Sequence, residues 1–162
     1  MVAKYVQADF DSLFIDMATK IRAGGWEARQ ENPPQAYIHV SKPSWGDENM
    51  NGIHLEAYIL GQQIESENAL VALHCEGGCP FQNQFMQLMT ERFQEEVKSS
   101  PDRWSDYTVC GPTGCSVFQT LVPFGQDASA DEVVCKVHAE LEKLQGLAAV
   151  IDKTIADCKN KS

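Results

Sequence analysis

Positive charge is scarce in this chain. Thirteen Lys and Arg stand against 23 Asp and Glu, which leaves a formal net charge of −10 over 162 residues and a pI near 4.7. Such a balance repels phosphate backbones and anionic headgroups, so no nucleic-acid partner is expected. Long apolar runs are missing too. None reaches the roughly 18–20 residues that a membrane helix needs. The stretch Met1–Phe10 contains Asp9 and has no apolar centre of the kind a secretory leader carries. We therefore expect a cytoplasmic protein without a membrane partner. Eleven Gly and seven Pro are too few for a collagen-like or low-complexity chain. The phosphate-binding patterns G-x-G-x-x-G and G-x-x-x-x-G-K-[ST] do not occur, nor do the catalytic patterns G-x-S-x-G and H-E-x-x-H.

What is present suits one globular domain over residues 1–162, with 43% hydrophobic and 22% charged residues. Phe10, Leu13, Phe14, Met17 and Ile21 recur at helical spacing, so a helix is expected over 9–23, with Asp9 as N-cap and Gly24-Gly25 as its stop. The polar stretch 27–35 reads as a loop. Strand-like runs follow at Tyr37–Ser41, Gly52–Leu60 and Asn68–Glu76, the last two joined by the polar connection Gly61–Glu67. A helix with an apolar stripe covers 80–98, and Cys115–Phe124 reads as a strand. Ser129 and Glu132 form a capping box. The stripe behind them, Val134 to Cys158, is heptad-like and suggests a long helix over 129–158, bent at Gly146. The order α-β-β-β-α-β-α implies an α+β fold: a mainly antiparallel sheet of about four strands packed by helices.

The central hairpin repeats one pattern, His54-Leu55-Glu56 and His74-Cys75-Glu76. Residues two apart in a strand share a face. Ile53, Leu55, Ala57 and Ile59 must lie on the same side as Ala69, Val71, Leu73 and Cys75, because a one-residue slip would expose one of the two sets. That parity forces both His-x-Glu pairs onto the other side. Pairing of 54 with 76 and of 56 with 74 is expected, with neighbouring even registers equivalent for this purpose. If Ile38 and Val40 join the apolar side, His39 joins the patch. Tyr58, Leu60, Leu70 and Ala72 share the polar side, so this face is expected to be partly covered, with Tyr58 and Trp45 as pocket-lining candidates.

Imidazole and carboxylate donors together suit a divalent zinc, manganese or iron ion. His54, Glu56, His74, Glu76 and His39 are thus the candidate ligand or metal residues. The same side chains could serve as general acid and base, or form ordinary cross-strand pairs on a solvated sheet face. A second candidate set is Cys75, Cys79, Cys110 and Cys115, from CEGGC and CGPTGC. Four thiolates could hold zinc, and a disulfide between the two loops is an alternative. Without an export signal, reduced thiols are the default.

The order α-β-β-β-α-β resembles the core of the PD-(D/E)XK nucleases, which bind magnesium through acidic residues on hairpin strands. The resemblance implies Glu56 and Glu76 as the counterparts. The E-x-K element is absent, since Ala57-Tyr58 follows Glu56 and Gly77-Gly78 follows Glu76, and the net charge opposes duplex binding.

Two function classes remain. The first is a small binding or interaction protein acting as a homodimer, with a His/Glu pocket that takes a small molecule or a cationic partner. The second is a hydrolase-like metal-dependent enzyme built on the two His-x-Glu pairs. Residues 51–100 hold seven acids and two bases, half of the net charge, so a cation is favoured at this face.

Overall fold

Alternation of apolar and polar residues along the chain produces one antiparallel sheet of six strands in the computed structural model, which describes residues 4–161. The elements run α1 (Gln7–Ala23), β1 (Glu27–Arg29), β2 (Tyr37–Ser41), β3 (Ile53–Tyr58), α2 (Gly61–Ser66), β4 (Asn68–Cys75), α3 (Gln82–Ser99), β5 (Tyr107–Val109), β6 (Ser116–Pro123), α4 (Ala130–Gln145) and α5 (Ala148–Asn160), with a single 3₁₀ turn at Pro43–Trp45. The spatial order of strands is β1-β2-β3-β4-β6-β5. The α+β class is as expected, but there are six strands and not four. The two additions, β1 and β5, are three-residue edge strands, too short to show an alternation. No helix among the described residues is long and apolar enough to cross a membrane.

One face of β2, β3 and β4 is apolar. Ile38, Val40, Ile53, Leu55, Ala57, Ile59, Ala69, Val71, Leu73 and Cys75 are all fully buried. They merge into one core with Phe10 and Phe14 of α1, Phe85 and Phe93 of α3, Val137 and Leu141 of α4, and Ile151 of α5. Each fully buried side chain of this size contributes about 1.5–3 kcal/mol. The helices pair α1 with α4 and α3 with α5, and α4 packs on β3 and β4.

Local capping differs from expectation at α1. The helix begins two residues early, with Val6 as N-cap and Asp9 at the third helical position, where its carboxylate accepts from the Val6 N–H at 2.7 Å. At α4 the Ser129–Glu132 capping box forms. The stripe behind it is carried by two helices, with Gly146 and Leu147 between them. Val137, Leu141, Leu144, Ile151 and Ile155 are spent on the chain's own core.

The hairpin keeps the expected parity with a register shifted by two: His54 faces His74, and Ile53 faces Cys75. The connection causes the shift. Gly61–Ser66 is a helical turn, capped at its start by the Gln63 side chain on the Leu60 N–H and ended by Glu67 at φ 52°. It lengthens the connection, so the strands part at Tyr58 and Leu70.

Candidate metal centre

The polar face of β2, β3 and β4 is buried where it carries the histidines. His39 sits opposite Glu56 across β2–β3, and His54 opposite His74 across β3–β4. His39, His54 and Glu56 are almost completely buried, while the His74 and Glu76 side chains are 18% and 27% exposed. Any approach from solvent is therefore at the Glu76 end.

Asp47 organises the buried half. It lies in the β2–β3 connection and is itself 1% exposed. One carboxylate oxygen is 3.0 Å from His39 Nδ1, the other 3.0 Å from His54 Nδ1. An ionised carboxylate only accepts hydrogen bonds, so both Nδ1 atoms carry protons and both Nε2 atoms point away from Asp47. The two rings stack, with centroids 3.4 Å apart. The loop that delivers Asp47 closes on itself: Gly46 is left-handed at φ 73°, the Gly52 N–H donates to Asp47 Oδ1 at 2.9 Å, and a Cβ on Gly52 would lie 2.1 Å from the Gly46 carbonyl oxygen.

The Nε2 atoms converge on Glu56. His39 Nε2 is 3.6 Å and His54 Nε2 3.5 Å from Glu56 Oε2, and His54 Nε2 is 3.8 Å from Glu76 Oε1. His74 enters from the other side, its Nδ1 3.3 Å from Glu56 and 3.6 Å from Glu76. Its Nε2 lies 2.6 Å from Ser116 Oγ. A bulge makes that contact: the β4–β6 register shifts between Leu73 and His74, so Ser116 and not Val117 stands opposite His74. Tyr37 donates its hydroxyl to Glu56, lies 3.0 Å from His39 Nε2, and stacks on Tyr58.

Two atoms here lack what buried polar atoms normally have. Among the described residues, His54 Nε2 and His74 Nδ1 are the buried side-chain nitrogens or oxygens without a hydrogen-bond partner. Such orphans are uncommon and costly. Donor atoms of His39, His54, Glu56 and Glu76 all lie within 4.8 Å of one another, the group among the described residues that could hold a metal ion. His74 borders it through both carboxylates.

The electrostatics demand a positive charge. Burial pushes the Asp47 carboxyl up, but hydrogen bonds from His39 and His54 outweigh it and hold the group well below the usual carboxylate range. Burial likewise opposes ionisation of Glu56, and its histidine neighbours together with the Tyr37 hydroxyl bring it below its ordinary value. Burial depresses His54, yet Asp47 and Glu56 pull it up to about 9. Burial dominates at His74 and lowers it. Burial and the adjoining Glu56 push the Tyr37 phenol far up. A pair of buried carboxylates thus needs a proton on His54 or a cation in its place.

The other sequence candidates lie elsewhere. Trp45 is not a pocket residue of this cluster. It is 2% exposed, packs edge-on against Trp26, and donates to Asp152 at 2.7 Å. Tyr58 reaches the site through Tyr37, and burial followed by Glu56 raises its phenol. Cys75, Cys79, Cys110 and Cys115 form no disulfide and are not gathered into a metal-holding group. Cys75 is on the apolar face, Cys110 is half-buried after β5, and Cys115 is exposed before β6. The neighbouring Cys75 thiol, the Phe81 backbone and the Lys159 charge together bring Cys79 down to about 7, against burial.

Asp47, Tyr37 and Ser116 were not among the residues expected from the sequence. Asp47 lies in SWGDENMNG, between the strands that carry His39 and His54. That position between two histidine strands, with Gly46 and Gly52 flanking it, was the available signal. The chain matches no family model, no curated protein and no solved structure.

Proposed function

We propose that this protein binds a divalent transition-metal ion, zinc, manganese or iron, through His39, His54, Glu56, His74 and Glu76. The observation that carries the reading is the pair of orphaned nitrogens. His54 Nε2 and His74 Nδ1 stand 3.3–3.8 Å from the carboxylate oxygens they face. Those separations are long for hydrogen bonds. Ligands at about 2.0–2.1 Å from an ion with tetrahedral angles stand about 3.4 Å from one another. Asp47 on two imidazole N–H groups supports the reading, because histidine ligands are commonly oriented by a carboxylate behind them. The acidic balance of the chain also favours a cation over an anionic partner.

A bound ion facing solvent at the Glu76 end would polarise a water molecule, which is the basis of the hydrolase-like alternative. The binding-protein reading keeps one surface feature. Leu121 of β6 is 55% exposed and pairs with Leu70 on the outer face, where a second copy of the chain would bury it. Light scattering at micromolar concentration tests that homodimer, and a monomer mass removes it.

Metal analysis of protein purified without a polyhistidine tag tests the main reading. Stoichiometric zinc, manganese or iron is expected, and its loss in the His54→Ala/His74→Ala variant. A metal-free protein whose melting temperature is unchanged by each of the three added ions overturns it.

A further inference from the structure

The histidine–carboxylate cluster offers an ion three imidazoles and two carboxylates, one donor more than tetrahedral zinc takes. No sulfur is among them. Cys75 lies between His74 and Glu76 in sequence, but it is fully buried on the apolar side, opposite Ile53. Five or six nitrogen and oxygen donors suit iron or manganese.

The charge around these donors is unbalanced. Glu56 and Glu76 would meet the ion directly. Asp47 stands behind two of the imidazoles and accepts from the His39, His54 and Gly52 N–H groups. Among the described residues, the ion pairs of these three carboxylates are with histidines alone. Arg29 stands opposite His39 across β1–β2, but its guanidinium is taken by Glu27 at 2.6 Å and by Ser41 Oγ at 3.2 Å. An imidazole that binds a metal is neutral. A divalent ion therefore leaves one negative charge over, and a trivalent ion cancels all three. Asp47 and Glu56 are 1% and 2% exposed, so water does little to screen the difference. A carboxylate behind a ligating imidazole also makes that imidazole a stronger donor.

We propose that this site, which rests on the metal-binding reading above, is a one-electron redox centre that holds iron preferentially as Fe(III), with dioxygen as the electron acceptor. Fe(II) in the site gives one electron to dioxygen arriving at the Glu76 end. The iron becomes Fe(III), and dioxygen leaves as superoxide. One electron is lost and one is gained, no covalent bond of the protein breaks, and no proton moves. A soluble one-electron reductant returns the ion to Fe(II).

The full-length protein is loaded anaerobically with one equivalent of Fe(II), desalted, analysed for iron and then exposed to air. Retained iron with a high-spin ferric electron paramagnetic resonance signal is expected. Mediated potentiometric titration then compares the wild type with Asp47→Asn. Removing one negative charge should lower the Fe(III):Fe(II) ratio at a fixed potential about 10–100-fold. The midpoint rises by about 59 mV for each tenfold step. Three results overturn the proposal and leave the metal site standing: iron that binds and stays Fe(II) in air, a midpoint unmoved in Asp47→Asn, or stoichiometric zinc in a chain that refuses iron. A chain that takes up none of zinc, manganese and iron removes both readings. Should Asp47→Asn fail to fold by circular dichroism, Glu76→Gln decides. It removes the same charge at the exposed end, so its midpoint is expected to rise too, and an unchanged midpoint overturns the proposal.

Discussion

His54 and His74 face each other across the β3–β4 ladder, and each presents a buried ring nitrogen, without a hydrogen-bond partner, to the same two carboxylates, Glu56 and Glu76. The other nitrogen of each ring is tied down, His54 to Asp47 and His74 to Ser116. One end fixed and one end idle is the arrangement of a ligand oriented from behind. A general-base reading needs only one such imidazole. Two imidazoles, with His39 as a third, fit cation binding better.

The residue behind the rings is therefore the sharpest test. Asp47→Ala removes the acceptor for three buried N–H groups, those of His39, His54 and Gly52, and unsatisfied groups of this kind cost about 1–3 kcal/mol each. Asp47→Asn keeps one acceptor oxygen and should fold better. In both variants zinc affinity by competition titration is expected to fall about 10–100-fold, the usual effect of losing such a partner. Unchanged affinity in folded Asp47→Asn would detach Asp47 from the metal reading.

Ser116 tests the opposite flank. Ser116→Ala leaves His74 Nε2 without its 2.6 Å contact. The fold should lose about 1 kcal/mol, as for one hydrogen bond. Zinc affinity should fall less than in Asp47→Asn, because one ring is released and not two. A loss larger than that of Asp47→Asn would place the dominant ligand on the exposed side.

Much of this cluster was legible because strand side chains repeat with period two. The apolar set from Ile53 to Ile59 and the set from Ala69 to Cys75 had to share a face, and His54, Glu56, His74 and Glu76 were left on the other. The shared face survived the two-residue register shift for that reason. The shift itself was hidden, because Gly61–Ser66 is polar and only six residues long, so its helical turn left no apolar period to read. Asp47 was hidden because an acidic residue in a turn-rich loop is ordinarily solvated. Its burial comes from tertiary closure of the Gly46–Gly52 loop. Trp45, in the same loop, packs its indole inward on Trp26 and Asp152.

That loop closure makes its own prediction. A Cβ at Gly52 would stand 2.1 Å from the Gly46 carbonyl oxygen and 2.8 Å from the Asp47 nitrogen, both backbone atoms that yield only if the loop moves. Gly52→Ala should cost about 2 kcal/mol or more, in the range of overpacking. It should also weaken zinc binding by displacing Asp47. Gly77→Ala is the control, since a Cβ there meets nothing within 4 Å. Its melting temperature should stay close to the wild-type value. Equal effects of the two substitutions would contradict the loop argument.

The last prediction concerns acid stability and lies away from the site. Asp152 of α5 accepts from Trp45 Nε1 at 2.7 Å and from Lys42 Nζ at 2.9 Å, tying the 43–45 turn to the helix. Partial burial pushes its carboxyl up, but these two donors outweigh burial and hold it below its usual value. A carboxyl depressed in the folded state adds stability that is present above its unfolded pKa of about 3.9. That contribution is lost as pH falls through the folded value. The side chain is 40% exposed, so solvent screening keeps the effect to about 1 kcal/mol. Asp152→Asn removes the charge and retains an acceptor for Trp45. The variant should be about 1 kcal/mol less stable than the wild type in urea at pH 7, with the difference narrowing below about pH 4. High salt should narrow it at pH 7 as well. A difference that grows on acidification would show that Asp152 is not stabilised as its ion.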